Sequence, residues 1–287
     1  MAEIPRLNSV IRELEHGKHV FTTFAQPNPE GAAGLATSNF DGIVFEMEHN
    51  PWDVRALKDS LQYMLNRRQI AESGSIAPKV APIVRIPPNG AENNQWFAKQ
   101  ALDLGVYGIV WPHVDTVDQA INAVGACRYP RLPSAPLYAP PGLRGDAPGT
   151  AARFWGLTQQ EYYQKADVWP LNPEGEILVV LMIESVQAIK NLPDMLKNVP
   201  GIGVILVGEG DLSQELGFPR QYEHPTVVEH INQIVETCKE NNVPVGHAHV
   251  GSDNLEHVIE WGFRWLMAGS TTNYGTLNKG RELTGRS

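Results

Sequence analysis

Eight apolar runs of strand length recur along the chain, and this repetition constrains the fold more than any other feature. The runs are continuous rather than alternating, which is typical of parallel strands covered on both faces. They lie at 20–24, 42–47, 81–86, 107–111, 177–183, 204–207, 243–247 and 263–268. Eight strands separated by helices predict an α/β fold of the TIM (β/α)8 barrel type, with a doubly wound open sheet as the alternative.

The segments between these runs carry the apolar spacing of helices. Helical patterns cover 51–66, 91–104, 117–127, 185–196 and 225–241. The chain has 287 residues, and single barrels are commonly about 250 residues long, so we predict one barrel domain over residues 1–287. A segment at about 129–176, rich in Pro, Gly and aromatic residues, is predicted to be a long inserted loop. Its length allows it to cross the barrel or to reach a neighbouring subunit.

Composition and charge argue against several classes of protein. Lys and Arg total 23 against 32 Asp and Glu, a net charge of −9, whereas nucleic-acid binders usually present a basic surface. The two cysteines, Cys127 and Cys238, form no paired motif. The first residues lack the apolar core of a secretory signal, and no apolar run is long enough for a membrane span. We therefore expect a soluble, cytoplasmic protein that binds neither nucleic acid nor membrane.

Acidic residues stand at the carboxyl ends of two neighbouring predicted strands, where barrel enzymes place their chemistry. Glu184 ends the fifth predicted strand, and Asp211 follows the sixth. Two carboxylates with open positions beside them suit a hard divalent cation such as Mg²⁺ or Mn²⁺. The alternative for each is a carboxylate at the barrel rim that pairs with an arginine. Their occurrence at adjacent strand ends favours a metal site.

A histidine and an arginine are further polar residues at these strand ends. His49 follows the second strand beside Glu46 and Glu48. Such a histidine can act as a general acid or base, and the alternative is a hydrogen-bonded structural role. Arg85 lies within the apolar third strand, so its guanidinium needs a negative partner. That partner is either a substrate anion or a buried carboxylate, for which Glu46 is the candidate.

The predicted strands carry no lysine at their carboxyl ends. A Schiff-base mechanism requires a desolvated lysine at the barrel mouth, so the sequence favours a metal ion over an imine as the electron sink. The chain also lacks a Walker loop, a GxSxG motif and a dinucleotide-binding glycine motif.

Eight motifs, in order along the chain from about Ile11 to Gly275, resemble the HpcH/HpaI aldolase family, the metal-dependent class II pyruvate aldolases related to citrate lyase β. The motifs are Glu48-His49, Val84–Pro87, Ala101–Gly105, Pro112–Thr116, Gly125–Pro130, Pro140–Gly145, Ile183–Ser185 and Gly210–Ser213. One such motif would be weak evidence, whereas eight in register make the resemblance specific. It implies a barrel whose final helix is swapped between subunits of a homo-oligomer, either a hexamer or another trimer-based assembly.

The resemblance also implies the metal and its ligands. Glu184 and Asp211 are implied to bind a divalent ion, Mg²⁺, Mn²⁺ or Co²⁺, which chelates the carboxylate and keto oxygens of a 2-oxo acid. Backbone amides near Gly210 and Asp211 are implied to hold the substrate carboxylate.

The remaining catalytic roles follow from the same resemblance. Arg85 is implied to stabilise the enolate oxygen. His49 is implied to pair with Asp103, from an adjacent subunit, and to act as acid and base through a water molecule. Asp103 by itself reads as a solvated helix residue, so its role is implied by the resemblance alone.

The sequence departs from the family pattern at several positions. Glu46 stands where the family commonly has Asp, and Met182 where it commonly has Gln. Glu209 is unusual beside the metal residue, and we expect it either to add charge near the metal or to face solvent. His247 and His249 replace a less polar segment. The residues predicted to line the substrate, besides Arg85, Gly210 and Asp211, are Trp111, Pro112, Met182 and His247.

The predicted function is therefore a metal-dependent aldolase or lyase. It would form or cleave the carbon–carbon bond between a pyruvate-type 2-oxo acid and an aldehyde. An acyl-CoA lyase of the citrate lyase β type is one alternative, for which Arg144 and Arg153 would have to contact the CoA phosphates. Oxaloacetate decarboxylation is another. A non-enzymatic alternative is a decayed barrel that serves binding or assembly.

Overall fold

A computed structural model describes residues 4–286, and within this range eight parallel strands close into a barrel. The strands, with a short additional one, β5, are β1 (Val20–Ala25), β2 (Gly42–Glu46), β3 (Ala81–Arg85), β4 (Gly108–Trp111), β5 (Val168–Trp169), β6 (Ile177–Ile183), β7 (Val204–Val207), β8 (Val245–Val250) and β9 (Trp265–Ala268). The pairing of β4 with β6 and of β9 with β1 closes the ring. The predicted barrel is confirmed, and the open sheet is excluded.

Helices surround the barrel and connect its strands. They are α1 (Ser9–Glu15), α2 (Pro29–Leu35), α3 (Val54–Met64), α4 (Arg67–Ser73), α5 (Trp96–Leu104), α6 (Val117–Ala126), α7 (Gly149–Trp155), α8 (Gln159–Lys165), α9 (Val186–Asn198), α10 (Glu209–Glu215), α11 (Pro225–Glu240), α12 (Leu255–Trp261) and α13 (Gly275–Leu283). The helices after β4 and β6 are capped by Thr116 and Ser185, the residues just before them, whose side chains accept a backbone N–H of the first turn. Within residues 4–286, every helix is too short or too polar to cross a bilayer.

Most strands match their predicted ranges to within two residues, and two further differences have local reasons. The seventh predicted strand, 243–247, is displaced to Val245–Val250, because Pro244 has no N–H to donate to a strand ladder. The two-residue strand Val168–Trp169 pairs with the start of β6 and is too short to leave a pattern in the sequence.

Alternation along each strand decides which side chains face the barrel interior and which face the helices. Gly280 of α13 lies against the Phe21 ring, so Phe21 faces the helices. Its register partner Leu266 pairs in turn with His247, which therefore also faces the helices. The side chains of the other set face the barrel interior. They include the register partners Glu46 and Arg85, Arg85 and Val110, Val110 and Val180, and Met182 and Leu206.

The long segment after α6 folds back onto its own barrel. Arg128 is 1% exposed, and its Nε donates to Asp167 Oδ1 at 2.7 Å. Its Nη1 also donates to the carbonyl of Pro140 at 2.6 Å. One buried guanidinium thus links the loop at Pro140 to Asp167 in the later part of the segment, which contains α7, α8 and β5.

The final helix packs against its own chain. Helix α13 contacts β1 and α12, and beyond it Arg286 Nη2 donates to Asp41 Oδ1 at 2.6 Å. The exchange of this helix between subunits, which the resemblance implies, stays a prediction.

Candidate active site

An ion-pair cluster occupies the carboxyl ends of β2 and β3. The Oε1 atom of Glu46 accepts the backbone N–H groups of Glu48 at 2.8 Å and His49 at 3.2 Å. Its other oxygen, Oε2, accepts Arg85 Nε at 2.6 Å and also contacts Arg85 Nη2. Glu46 therefore fixes both the turn that carries His49 and the guanidinium. The buried carboxylate expected for Arg85 is present.

The same guanidinium is held on its other sides. Arg85 Nη1 lies 2.9 Å from Glu48 Oε2 and 3.7 Å from the Met182 sulfur. Arg85 Cζ stands 4.4 Å from the centroid of the Phe24 ring, a cation–π contact. Burial raises the pKa of Glu48, although Arg85 and His49 oppose the shift. The contacts hold the cation rigidly at the barrel mouth.

Glu184 follows β6 as a nearly buried carboxylate. Its residue exposure is 3%, and its Oε1 accepts the backbone N–H of His113 at 2.9 Å. Burial raises the pKa of Glu184 to about 8, and the negative charges of Glu48 and Asp211 add to the rise. Below that pH the carboxyl group holds a proton, so a cation that binds here at neutral pH displaces it.

Three potential metal ligands converge beside Glu184. One ligand atom each from His113, Glu184 and Asp211 lies within 4.8 Å of the others. Two carboxylates and an imidazole suit Mn²⁺ or Co²⁺, and the two carboxylates also suit Mg²⁺. The chemistry and spacing of the donor set therefore fit a single divalent ion.

His113 reaches this position through an unusual backbone conformation. Its φ is 48°, in the left-handed region that non-glycine residues rarely adopt. The loop is fixed on both sides, because Gly90 donates to the His113 carbonyl at 3.2 Å and Val114 donates to the Met182 carbonyl at 3.4 Å. His113 lies in the Pro112–Thr116 motif, two positions after the fourth predicted strand, but sequence reasoning gave it no role. Its position just after a strand end was the available signal.

Gly208 provides the space in which the Glu184 carboxylate lies. A Cβ atom at this position would collide with the carboxylate of Glu184, whereas its φ of −99° is open to any residue. We expect Gly208→Ala to displace Glu184 and to weaken Mn²⁺ binding by about 10- to 100-fold, measured by calorimetry. Gly210→Ala is the matched control, because a Cβ there meets nothing within 4 Å. Equal affinity in both variants would contradict the steric argument.

The residues predicted to line the substrate fall in different places. Met182 faces the barrel interior against Arg85, and Gly210 lies in the first turn of α10 beside Asp211. Trp111 is 2% exposed and follows Val110, the register partner of Arg85, so it faces the opposite side of the sheet. Pro112 is buried, and its carbonyl accepts the Gly90 N–H at 3.1 Å. Trp111 therefore belongs to the core rather than to the assembled site.

His49 and Asp103 are not brought together within this chain. The His49 ring instead lies beside Glu48, with Nε2 at 3.5 Å from Oε2, and the His49 side chain is 67% exposed. Asp103 instead accepts a hydrogen bond from Arg144 Nη2 at 3.0 Å. A pair formed between adjacent subunits stays a prediction.

The end of β8 holds a polar cluster built around Glu209. Of the two alternatives for Glu209, the one in which it faces solvent is wrong, because its side chain is 0% exposed. Its Oε1 accepts His249 Nδ1 at 2.8 Å and lies 3.5 Å from His247 Nδ1. His247 is 7% exposed and packs edge-on against Phe263.

Comparison with known proteins agrees with this geometry. The family model of HpcH/HpaI aldolase/citrate lyase matches residues 21–275. The chain is 32% identical over 246 residues to a 5-keto-4-deoxy-D-glucarate aldolase of Escherichia fergusonii, covering 86% of this chain and 83% of that protein. It is 30% identical over 250 residues to a 2-keto-3-deoxy-L-rhamnonate aldolase of Klebsiella pneumoniae, covering 86% and 81%. These relatives are aldolases, which are lyases.

Solved structures share the fold. A HpcH/HpaI aldolase/citrate lyase family protein from Burkholderia cenocepacia superposes with a TM-score of 0.75 at 23% identity, covering 97% of this chain and 98% of that one. A citrate lyase β subunit from M. tuberculosis, complexed with oxaloacetate and magnesium, gives 0.56 at 12% identity, covering 92% and 96%. The barrel, the acidic strand ends and the match along most of the sequence lead to one conclusion: the chain belongs to the HpcH/HpaI aldolase/citrate lyase family, whose aldolases are divalent-metal-dependent lyases.

Proposed function

We propose that this protein is a class II aldolase that cleaves 2-oxo-4-hydroxy acids into pyruvate and an aldehyde, and that also catalyses the reverse addition. The observation that carries the proposal is the convergence of His113, Glu184 and Asp211. The rigid guanidinium of Arg85, which contacts Glu48 and Met182 at the same barrel mouth, supports it.

Glu184, Asp211 and His113 would hold the divalent ion. When bound, such an ion acts as a Lewis acid that polarises the keto group of the 2-oxo acid and stabilises negative charge on its oxygen. We assign the substrate carboxylate to the backbone amides of Gly210 and Asp211. Met182, beside Arg85, supplies an apolar wall where the family commonly has an amide.

Arg85 stabilises the oxygen on which negative charge develops as the bond between C3 and C4 breaks. Because Glu46 and Glu48 already fix the guanidinium, little reorganisation is needed at that moment. We assign the removal of the C4 hydroxyl proton to His49 acting through water, with Asp103 of an adjacent subunit as its partner. The large exposure of His49 leaves the ring open to such an approach.

This assignment makes a homo-oligomer part of the proposal, because His49 and Asp103 do not meet within one chain. We propose a hexamer or another trimer-based assembly, in the cytoplasm, acting on small-molecule substrates. The substrates named for the relatives, 5-keto-4-deoxy-D-glucarate and 2-keto-3-deoxy-L-rhamnonate, are 2-oxo acids of this kind. The acyl-CoA alternative is weakened because Arg144 is buried and paired with Asp103, which removes it as a phosphate ligand.

The imidazole of His113 favours a transition metal over Mg²⁺. Nitrogen ligands raise the affinity of a site for Mn²⁺ and Co²⁺ much more than for Mg²⁺. We expect Mn²⁺ to bind about 10- to 100-fold more tightly than Mg²⁺, and His113→Ala to remove most of this preference. Titration calorimetry with each ion checks it. If the ratio of Mn²⁺ affinity to Mg²⁺ affinity were the same in the wild type and in His113→Ala, His113 would be excluded as a ligand.

Two assays on the metal-loaded protein test the proposed function. Pyruvate release from a 2-oxo-4-hydroxy acid reports cleavage, and exchange of the pyruvate methyl protons with solvent deuterium reports the half-reaction without an aldehyde. Both should stop in EDTA and return on addition of Mn²⁺. Turnover that persists in EDTA would reject the metal role. Decarboxylation of oxaloacetate without either aldolase reaction would favour that alternative instead.

A further inference from the structure

The Asp211 carboxylate reaches the predicted metal site without a partner that holds its side chain. Asp211 is exposed, and among residues 4–286 its side chain makes no hydrogen bond or ion pair with another residue. One of its oxygens nevertheless lies within 4.8 Å of the ligand atoms of Glu184 and His113. The backbone of the first turn of α10, which carries Asp211, must therefore set the position of this carboxylate.

That turn is attached to β6 at Gly208, the residue just before α10. The Gly208 N–H donates to the carbonyl of Ile183 at 3.1 Å, and the glycine lies directly against the Glu184 carboxylate. These contacts fix the start of the helix beside one metal ligand. One point of attachment still lets the turn pivot, so the direction in which it runs toward Asp211 requires a second one.

Glu209 attaches the same turn to β8. Its side chain is 0% exposed, and its Oε1 accepts Nδ1 of His249 at 2.8 Å. The same oxygen lies 3.5 Å from Nδ1 of His247, whereas Oε2 is buried and has no hydrogen-bond partner in the described part of the chain. A buried carboxylate is costly unless it is hydrogen-bonded, so the bond from His249 decides where the Glu209 side chain can lie.

His249 is itself held from several directions. Its backbone N–H donates to Nδ1 of His247 at 3.2 Å, and its carbonyl accepts Nδ2 of Asn254 at 3.0 Å. Its ring stacks on that of Tyr222, with centroids 5.5 Å apart and an interplanar angle of 11°. Because the end of β8 and the loop after α10 both hold this ring, a shift of α10 would stretch or break the bond to Glu209.

We propose that Glu209 and His249 are positioning residues, whose hydrogen bond holds the first turn of α10 so that Asp211 can bind the metal ion. Neither residue belongs to the ligand set, and both act through the backbone of the turn. The inference rests on the metal site of the proposed function, and it adds two residues to which that function gives no role.

The negative charge of Glu209 offers a competing explanation, because it would attract a cation without fixing the turn. Glu209→Gln separates the two explanations. The amide oxygen of glutamine can still accept the Nδ1–H group of His249, but the charge is lost. Glu209→Leu removes both the acceptor and the charge. A positioning role therefore predicts that the glutamine variant keeps metal affinity and that the leucine variant loses it.

His249 allows a matched pair of variants with side chains of similar size. Asparagine keeps an N–H donor near the position of Nδ1, whereas leucine has none. Titration calorimetry should show that His249→Leu and Glu209→Leu each weaken Mn²⁺ binding by about 10-fold. His249→Asn and Glu209→Gln should stay within about threefold of wild type. His257→Leu, which changes an exposed histidine on α12, is the control and should bind Mn²⁺ as the wild type does.

Thermal melting of the same metal-free proteins separates positioning from general support of the fold. His249 is the safer site for this comparison, because its side chain is 53% exposed. A lower melting temperature with wild-type Mn²⁺ affinity in both leucine variants would overturn the proposal. Equal weakening of Mn²⁺ binding in Glu209→Gln and Glu209→Leu, with none in His249→Leu, would overturn it in favour of the charge.

The double variant Glu209→Leu/His249→Leu tests whether the two residues act through one bond. It should bind Mn²⁺ about as tightly as either single variant, because a shared hydrogen bond is lost only once. Losses that add up would show two separate effects and contradict the proposal.

The wild-type protein distinguishes failure of this inference from failure of the proposed function. If it does not bind Mn²⁺, the metal site and the inference fall together. If it binds Mn²⁺ and all the variants bind equally well, the inference alone is overturned. If it binds Mn²⁺ but does not exchange the methyl protons of pyruvate, the aldolase function is rejected, and the Mn²⁺ affinities of the variants still decide the inference.

Discussion

Glu184→Gln should lower kcat for pyruvate release by on the order of 10³-fold, because a metal-bound carboxylate contributes several kcal/mol to the stabilisation of the transition state. The variant keeps the shape of the side chain and can still accept the His113 N–H, which now lies 2.9 Å from Oε1. It loses the charge that holds the cation. Mn²⁺ affinity should fall together with kcat, which calorimetry measures independently of turnover.

A matched control lies just before the same strand. Glu176 is also buried and accepts the Asn8 N–H at 2.8 Å, so Glu176→Gln makes the same chemical change just before the opposite end of β6. It should leave kcat and Mn²⁺ affinity close to those of the wild type. If both variants lost activity equally, burial of a glutamate rather than metal binding would explain the loss.

The stability of Glu184→Gln without metal gives a second readout. The folded-state pKa of Glu184, about 8, exceeds its unfolded value of roughly 4.3, so the folded state retains a proton that the unfolded state loses. The stability from this group is fully present below the unfolded pKa and is lost as pH rises through about 8. Without metal, Glu184→Gln should therefore melt at a higher temperature than wild type at pH 8, and the two should converge near pH 4.

Arg85→Met should lower kcat by about 10²- to 10³-fold, since it removes the cation aimed at the developing oxyanion. It should also destabilise the fold by about 3–5 kcal/mol, because two nearly buried carboxylates lose their shared partner. Those carboxylates belong to Glu46 and Glu48, whose side chains are 11% and 8% exposed. Denaturant unfolding and steady-state kinetics measure the two effects.

A second variant separates stability from catalysis. Glu46→Gln combined with Arg85→Met removes one uncompensated charge, so part of the lost unfolding free energy should return while kcat stays low. Recovery of activity together with stability would show that Arg85 only supports the fold. Arg85→Lys keeps the charge but cannot reproduce the contacts with both carboxylates, and we expect intermediate kcat and stability.

The fold and most of the site follow from simple rules applied to the sequence. Continuous apolar runs predict the barrel, which is confirmed, because strands buried on both faces carry no polar alternation. Residues directly after these runs, such as Glu184, reach the barrel mouth because the carboxyl ends of parallel strands meet there. Trp111 satisfies the same positional rule yet lies in the core, because the facing of a side chain depends on register rather than on proximity to a strand end.

Features that depend on backbone conformation or on distant contacts were not predictable in this way. The left-handed conformation of His113 and the space left by Gly208 for the Glu184 carboxylate leave no periodic pattern. Burial of Glu209 depends on the histidines of β8, which lie about 40 positions later in the chain. The sequence therefore left both alternatives for Glu209 open, and only the contacts of the folded chain decide against the solvent-facing one.

The most direct test is an anomalous difference map from crystals grown with Mn²⁺ and soaked in pyruvate. The account predicts one peak per chain within coordination distance of Glu184, Asp211 and His113, with the pyruvate carboxylate and keto oxygens on the same ion and Arg85 facing the keto oxygen. A peak elsewhere, or a Glu184 carboxylate paired directly with Arg85 and no ion beside it, would contradict the account.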